Sequence, residues 1–152
     1  TSLAANEFEE TLKNNEASGY VNMLESFVQK ATKRCETLLQ RDDDWRERLL
    51  ADWQSVNQNY TQAVRFWTDE YINAISLRHG ESFAQYEQQK ISSVVHMRGT
   101  NITNEVINGD EQQKAVACED FENRLVSGQL NVSNESPHYD HLQKMVELTH
   151  FQ

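Results

Sequence analysis

The apolar residues of positions 44–78 recur at alternating steps of three and four residues. At roughly 100° per residue, such a set lies on one face of a helix, and no other regular structure gathers it there. The set consists of Trp45, Leu49, Trp53, Val56, Tyr60, Ala63, Trp67, Tyr71 and Ala74. Aspartates at positions 42–44 suit the free amide groups of a first turn, and Gly80 suits a helix end. The pattern therefore predicts one helix over residues 44–78, roughly 50 Å long at ~1.5 Å per residue.

Upstream of this helix, a second apolar stripe predicts a helix of about twenty residues that begins after Ser18 and Gly19. Its inward residues are Tyr20, Val21, Leu24, Phe27, Val28, Ala31, Cys35, Leu38 and Leu39. A weaker amphipathic segment, with Leu3, Phe8 and Leu12, precedes it and is predicted as a helix or a tail.

Three further helices are predicted downstream. The first covers residues 81–98, is closed by Gly99, and carries an apolar face of Phe83, Tyr86, Ile91, Val94 and Met97. The second covers at least residues 110–127 and ends at Gly128, and one face of it is formed by Ile107, Cys118, Phe121 and Leu125, with Cys118 inward. A last short helix is expected over residues 138–151, with Leu142, Met145, Val146 and Leu148 as its apolar residues.

Five glycines and one proline in 152 residues leave few turn residues, which argues against an all-β fold. The short connections at residues 40–43, 79–81 and 99–104 favour antiparallel neighbours. We therefore predict an all-α fold in a single domain of residues 1–152. The expected architecture is an elongated antiparallel up-and-down bundle of four main helices with short terminal helices. The heptad-like spacing also permits a coiled-coil dimer, but so many inward aromatic residues are untypical of coiled-coil seams.

Four sequons for N-glycosylation begin at Asn59, Asn101, Asn131 and Asn134, where the composition alone would give roughly 1.7 by chance. This excess predicts a secreted, extracellular glycoprotein, with residues 128–137 as an exposed glycosylated loop. The chain starts at Thr1 without an initiator methionine or a signal peptide, which is expected of a processed mature chain or of a trimmed one.

Cys35 and Cys118 are the only cysteines, and they form either one disulfide or two buried thiols. Both lie on inward helix faces, and the sequons indicate an oxidising compartment, so we predict a disulfide.

The formal net charge of −10, from 14 basic and 24 acidic residues, argues against binding to nucleic acid or to anionic lipid. No apolar run exceeds four residues, which is far short of the ~20 that a membrane-spanning helix needs, so no membrane insertion is expected.

Candidate catalytic or metal-binding residues are few. His138 and His141 have ligand-like spacing, but a polar helix start after Pro137 explains them better than a metal site does. There is no His-Glu-x-x-His sequence, no Gly-x-Ser-x-Gly elbow and no calcium-binding loop, and the aspartates at 42–44 are interpreted as a helix cap. We therefore predict no enzymatic activity, no metal and no cofactor.

The aromatic residues Trp45, Trp53, Tyr60, Trp67 and Tyr71 either form the core or line a cavity for an apolar ligand. Phe66 and Ile72 lie off this stripe, where one isolated helix would leave them exposed, and are candidates for contact with a partner.

The sequence favours a secreted, non-enzymatic helical glycoprotein, monomeric or homodimeric, that binds another macromolecule, an unknown protein or receptor. The exposed faces of the helices at 44–78 and 81–98 are the expected contact region. The alternative is an extracellular carrier of a lipid or other apolar small molecule held between the helices.

Overall fold

A computed structural model of the protein describes the backbone of residues 3–150 and the side chains of residues 9–150. Within these residues every regular element is a helix, and the all-α prediction is confirmed. The helices are α1 (Leu3–Leu38), α2 (Asp43–Val56), α3 (Gln58–His79), α4 (Glu81–Val106), α5 (Glu111–Val126) and α6 (Tyr139–His150).

Several helix ends agree with the sequence signals. Asp42 caps α2, because its side chain accepts a hydrogen bond from the backbone amide of Trp45 at 2.9 Å. Gly80 follows α3 with a φ of +92°. Asp110 and Gln113 form a reciprocal capping box at the start of α5. These ends depend on local chemistry, and local sequence is sufficient to predict them.

The single helix predicted over residues 44–78 is wrong, because the chain leaves the helical conformation at Asn57, between α2 and α3. Asn57 is fully buried, and its side-chain amide donates to the carbonyl of Trp53 at 2.8 Å. The break changes which apolar side chains of this segment are buried. Val56 is 65% exposed although the stripe predicted it inward, and Val64, which the stripe omitted, is buried.

The predicted start of the first main helix after Ser18 and Gly19 is also wrong, because α1 runs without interruption from Leu3 to Leu38. Ser18 is buried and Gly19 half-buried, so these small residues lie in packed positions inside the helix. The N-terminal segment is thus helical from Leu3. Leu12 is 48% exposed, whereas the side chains of Leu3 and Phe8 lie outside the described residues.

The helix predicted to close at Gly99 continues to Val106, so the connection expected at residues 99–104 is helical. Gly99 is buried against Ser26 of α1. A Cβ added at Gly99 would lie 2.8 Å from the Ser26 Cβ and 3.2 Å from its carbonyl carbon. Gly99 therefore allows two helices to approach closely and does not end one.

The chain forms two compact units, each with segments of four helices. Unit 1 contains Asn59–Ser93 and the described parts of Thr1–Asn22 and Val132–Gln152; unit 2 contains Met23–Gln58 and Val94–Asn131. Unit 1 is centred on the buried residues Ala17, Val21, Ala63, Val64, Ala84, Leu142 and Met145. The core of unit 2 includes Leu24, Phe27, Val28, Ala31, Trp45, Trp53, Ile107, Phe121 and Leu125.

The predicted disulfide is confirmed. Cys35 of α1 and Cys118 of α5 are bonded within unit 2, with their Cα atoms 5.3 Å apart and both side chains fully buried. Beside them, the rings of Phe27 and Phe121 meet edge to face at 5.6 Å. The cross-link therefore joins α1 to α5 within a packed aromatic and aliphatic core.

Candidate binding surface and cleft

Two members of the predicted aromatic stripe are core residues of unit 2. Trp45 and Trp53 are 7% and 3% exposed. The Trp45 indole donates to a Glu122 carboxylate oxygen at 3.4 Å, and the Trp53 indole donates to the carbonyl of Leu130 at 3.0 Å. With their indole nitrogens hydrogen-bonded and their rings covered, these two residues anchor α2 in the core of unit 2.

The other three aromatic residues of this set, Tyr60, Trp67 and Tyr71, lie in unit 1 and are half-buried. The Tyr60 hydroxyl accepts a hydrogen bond from the Gln143 amide at 2.7 Å, and burial together with the nearby Tyr139 raises the pKa of Tyr60. The Trp67 indole donates to Asn15 at 3.2 Å. These bonds connect α3 to α6 and to α1.

Trp67 and Tyr71 line a cleft of about 300 Å³ between α1 and α3, which we call the α3 cleft. Its other lining residues are Thr11, Glu70, Ala74, Ile75, Arg78 and His79. The walls are mostly apolar, and charged side chains are present among them. Of the residues that the stripe offered for a cavity, only Trp67 and Tyr71 belong to this cleft.

An exposed aromatic cluster adjoins the α3 cleft. His79 at the end of α3 lies 5.4 Å from the ring of Phe83, and Phe83 lies 6.4 Å from the ring of Tyr86. Phe83 and Tyr86 are 47% and 60% exposed. We call His79, Phe83 and Tyr86 the aromatic surface. Because His79 also lines the α3 cleft, the two features are continuous.

Charged and aliphatic groups flank the aromatic surface. The Lys90 ammonium lies 6.0 Å from the Tyr86 ring centre and 3.1 Å from a Glu87 carboxylate oxygen. The hydrogen bond to Glu87 and the charge of that carboxylate raise the pKa of Lys90. Leu77, on the last turns of α3, is 89% exposed. Sequence reasoning missed Leu77 because it lies off the stripe, and it identified Phe83 and Tyr86 only as members of the apolar face of the helix at 81–98.

Phe66 and Ile72 are each half-buried. They are less exposed than an isolated helix would leave them, and their role in partner contact stays a prediction.

The four sequons differ in their surroundings. Asn59, Asn101 and Asn134 are exposed, whereas Asn131 is half-buried. Both sequon threonines are core residues, since Thr61 is 5% and Thr103 0% exposed. Asn131 and Asn134 lie in the predicted non-helical connection between α5 and α6.

His138 directly precedes α6, and His141 lies in the first turn of that helix. Among the side chains described from residue 9 to residue 150, no group of three or more metal-ligating residues is close enough to hold an ion. His141 is half-buried, hydrogen-bonded through Nε2 to Asn14, and 3.8 Å from a Glu10 carboxylate oxygen. Burial lowers the pKa of His141, and this effect outweighs the opposing charge of Glu10. The histidine therefore supports the contact of α6 with α1.

The lowered pKa of His141 predicts that acid weakens unit 1. The neutral imidazole is favoured in the folded state, so its contribution to stability is present above pH 6.5 and is lost as the pH falls through the folded-state pKa. We expect His141→Gln to reduce the fall of the melting temperature between pH 7 and pH 5, measured by circular dichroism. His150→Gln, at an exposed position of the same helix, is the control and should retain the wild-type pH dependence. An unchanged slope in His141→Gln would contradict this assignment.

None of the helices in the described part of the chain has the length and apolar character needed to cross a membrane. Comparisons with protein-family models, with curated proteins and with solved structures found no match for this chain. The geometry described above is therefore the basis for a functional proposal.

Proposed function

We propose that this protein is a secreted, non-enzymatic glycoprotein that acts by binding another macromolecule, a protein or receptor, through the aromatic surface. The observation that carries the proposal is the continuous exposure of Phe83 and Tyr86 beside His79. Aromatic side chains cost free energy when left in water, and they are enriched among the residues that dominate binding interfaces.

The aromatic surface has the composition of an interface centre with a polar rim. Phe83 and Tyr86 supply large apolar area at a low cost in side-chain entropy, and the charged pair of Glu87 and Lys90 borders them. The α3 cleft next to His79 offers a recess for an apolar side chain of the partner. The predicted contact region on the helix at 81–98 is thereby narrowed to its first turns.

A glycan on α3 would leave this surface open. Asn59 and His79 are twenty positions apart on one helix, which corresponds to about 30 Å along the axis at ~1.5 Å per residue. The four helical segments within each unit support the further proposal that the helices of each unit pack as an antiparallel up-and-down bundle.

The proposal is tested by titrating labelled wild-type protein onto cells and onto arrayed extracellular domains, and repeating each saturable interaction with Phe83→Ser/Tyr86→Ser. We expect at least tenfold weaker binding, since the loss of two interface aromatics removes about 1.4 kcal/mol or more. Val116→Ser/Val126→Ser is the matched control, because these valines are 60% and 71% exposed elsewhere on the chain, and it should bind as the wild type does. Equal binding by both double variants would refute the role of the aromatic surface.

A second candidate function, an extracellular carrier of an apolar small molecule, is favoured by the α3 cleft, where Trp67 and Tyr71 form apolar walls. Native mass spectrometry after mild purification separates the two proposals. A reproducible apolar ligand of one mass supports the carrier, and an empty protein that has a saturable macromolecular target supports the first proposal.

A further inference from the structure

We propose that Asn131 carries a glycan whose first sugar packs into an apolar groove between the ends of α2 and α5, so that this glycan is a structural part of unit 2. The inference rests on the proposed secretion and glycosylation of the protein. It goes further by giving one of the four sequons a contact within the fold. Asn131 differs from the other three sequon asparagines because it is half-buried, whereas they are exposed.

The Asn131 side chain is held in place through its oxygen. That oxygen accepts a hydrogen bond at 3.1 Å from the side-chain amide of Asn57, which is fully buried. A glycan replaces one hydrogen of the asparagine nitrogen and leaves the oxygen as an acceptor. The bond to Asn57 is therefore kept when Asn131 is glycosylated, and it fixes the plane of the amide from which the sugar projects.

The side-chain nitrogen of Asn131, to which the sugar would be attached, is reached by solvent. Among the described residues it donates no hydrogen bond to the protein. The side-chain nitrogen and oxygen atoms that are buried there without a partner are Ser18 Oγ and Glu36 Oε2, so the Asn131 nitrogen is not enclosed. A Cβ on Gly128 would lie 3.1 Å from this nitrogen, and because glycine has none, that side is left open for the sugar.

The groove between α2 and α5 lies directly beside Asn131, which is one of its lining residues, and has a volume of about 160 Å³. Its walls include Trp53 and Leu125, which are buried. They also include Val56 and Val126, the last residues of α2 and α5, which are 65% and 71% exposed. The groove is therefore apolar, opens to solvent at the two valines, and begins at the atom group that carries the sequon.

A sugar attached to Asn131 suits this groove better than a free ligand does. The volume is below the roughly 300 to 1,000 Å³ of a pocket for a free small molecule. A pyranose ring has a face of C–H groups, which can cover the valines while the hydroxyl groups stay in water or donate to the exposed Asp52 at the groove. Because the sugar is tethered beside the groove, the contact is intramolecular, and a weak attraction is sufficient.

The first test maps glycan occupancy. The chain is secreted from eukaryotic cells behind a signal peptide, denatured, and deglycosylated enzymatically in ¹⁸O water, which converts each occupied asparagine to labelled aspartate. Fragment-ion mass spectrometry should locate label at Asn131. Label at other sequons but not at Asn131 overturns the inference while the proposed function stands. A secreted protein without label at any sequon overturns both the inference and the proposed glycoprotein.

The structural role is tested with Ser133→Ala, which removes the Asn131 sequon but keeps Asn131 and its bond to Asn57. In protein from the secreting cells, this variant should lower the melting temperature by about 2 to 4 °C, because the groove is uncovered. Made in a bacterial periplasm, where disulfides form and this glycan is not added, it should melt within about 1 °C of wild type from the same host. Equal shifts in the two hosts, or no shift in either, overturn the structural role.

The contact of the first sugar is tested on wild-type protein trimmed by an endoglycosidase that leaves one sugar on each occupied asparagine. The trimmed protein should keep the melting temperature of the untrimmed one. Val56→Ser should remove most of the difference between the sequon-containing protein and Ser133→Ala, whereas Val116→Ser, at a 60% exposed valine outside the groove, should preserve it. A trimmed protein that melts like Ser133→Ala, or an undiminished difference in the Val56→Ser background, would show that the first sugar does not pack in the groove.

Discussion

Replacing Cys35 and Cys118 together by alanine is expected to lower the free energy of unfolding by about 4.5 kcal/mol. The two cysteines are 83 positions apart, so the bond closes a long loop. In the chain-entropy model, a cross-link over such a loop removes about 4.5 kcal/mol of conformational freedom from the unfolded state. Whole domains are stable by about 5 to 15 kcal/mol, so the loss removes a large part of the total.

Urea unfolding followed by tryptophan fluorescence measures this effect as a fall in the midpoint. Trp45 and Trp53 report on unit 2, in which the disulfide lies, because both are buried there. Alanine avoids placing new buried hydroxyl groups in the core, which serine would do. Wild-type protein reduced with a thiol is the companion measurement and should unfold near the midpoint of the double variant. A double variant as stable as the oxidised wild type would contradict the role assigned to the bond.

Gly99→Ala is expected to destabilise the protein by about 1 to 2 kcal/mol, even though alanine is about 1 kcal/mol better than glycine inside a helix. The added Cβ would lie 2.8 Å from the Cβ and 3.2 Å from the carbonyl carbon of Ser26. Rotation of the serine hydroxyl cannot relieve these two contacts, so α1 and α4 have to separate locally. Thermal unfolding by circular dichroism measures the change.

A double-mutant cycle with Ser26→Gly isolates the contact. In the Ser26→Gly background, Gly99→Ala should destabilise the protein much less or stabilise it. The Cβ of residue 26 is then absent, and only the higher helix propensity of alanine remains. Asn104→Ala, at an exposed position of α4, is the control and should be neutral or slightly stabilising. A stabilising effect of Gly99→Ala in the wild-type background would mean that the two helices do not meet at this residue.

Glycines 80 and 99 show how far the sequence alone predicts this fold. Each follows a basic residue at the end of an apolar pattern, which is the usual signal for a helix end. Only Gly80 ends a helix, with a φ of +92°, and Gly99 lies inside one. The difference depends on Ser26, which is more than seventy positions away. Caps such as Asp42 are predictable because the group that they satisfy is a local neighbour.

The candidate binding surface was predictable only in part, for a related reason. The spacing of Phe83 and Tyr86 identifies an apolar face on α4, but periodicity cannot say what covers that face. Asn57, where the long stripe is interrupted, donates both to the nearby Trp53 carbonyl and to Asn131 in a distant connection, and periodicity cannot show the second bond. The covered face differs on the two sides of that interruption, so Trp53 before it is a core residue and Trp67 after it lines a cleft.

The most direct test of the account is the intact mass of the protein collected from the medium of secreting cells, measured before and after enzymatic deglycosylation and after alkylation without reductant. We predict a glycan mass that the enzyme removes, no alkylated thiol, and a proteolytic fragment in which the Cys35 and Cys118 peptides remain joined. Two alkylated cysteines, or a secreted chain with no added glycan mass, would contradict the central claim of an exported, disulfide-bonded helical glycoprotein.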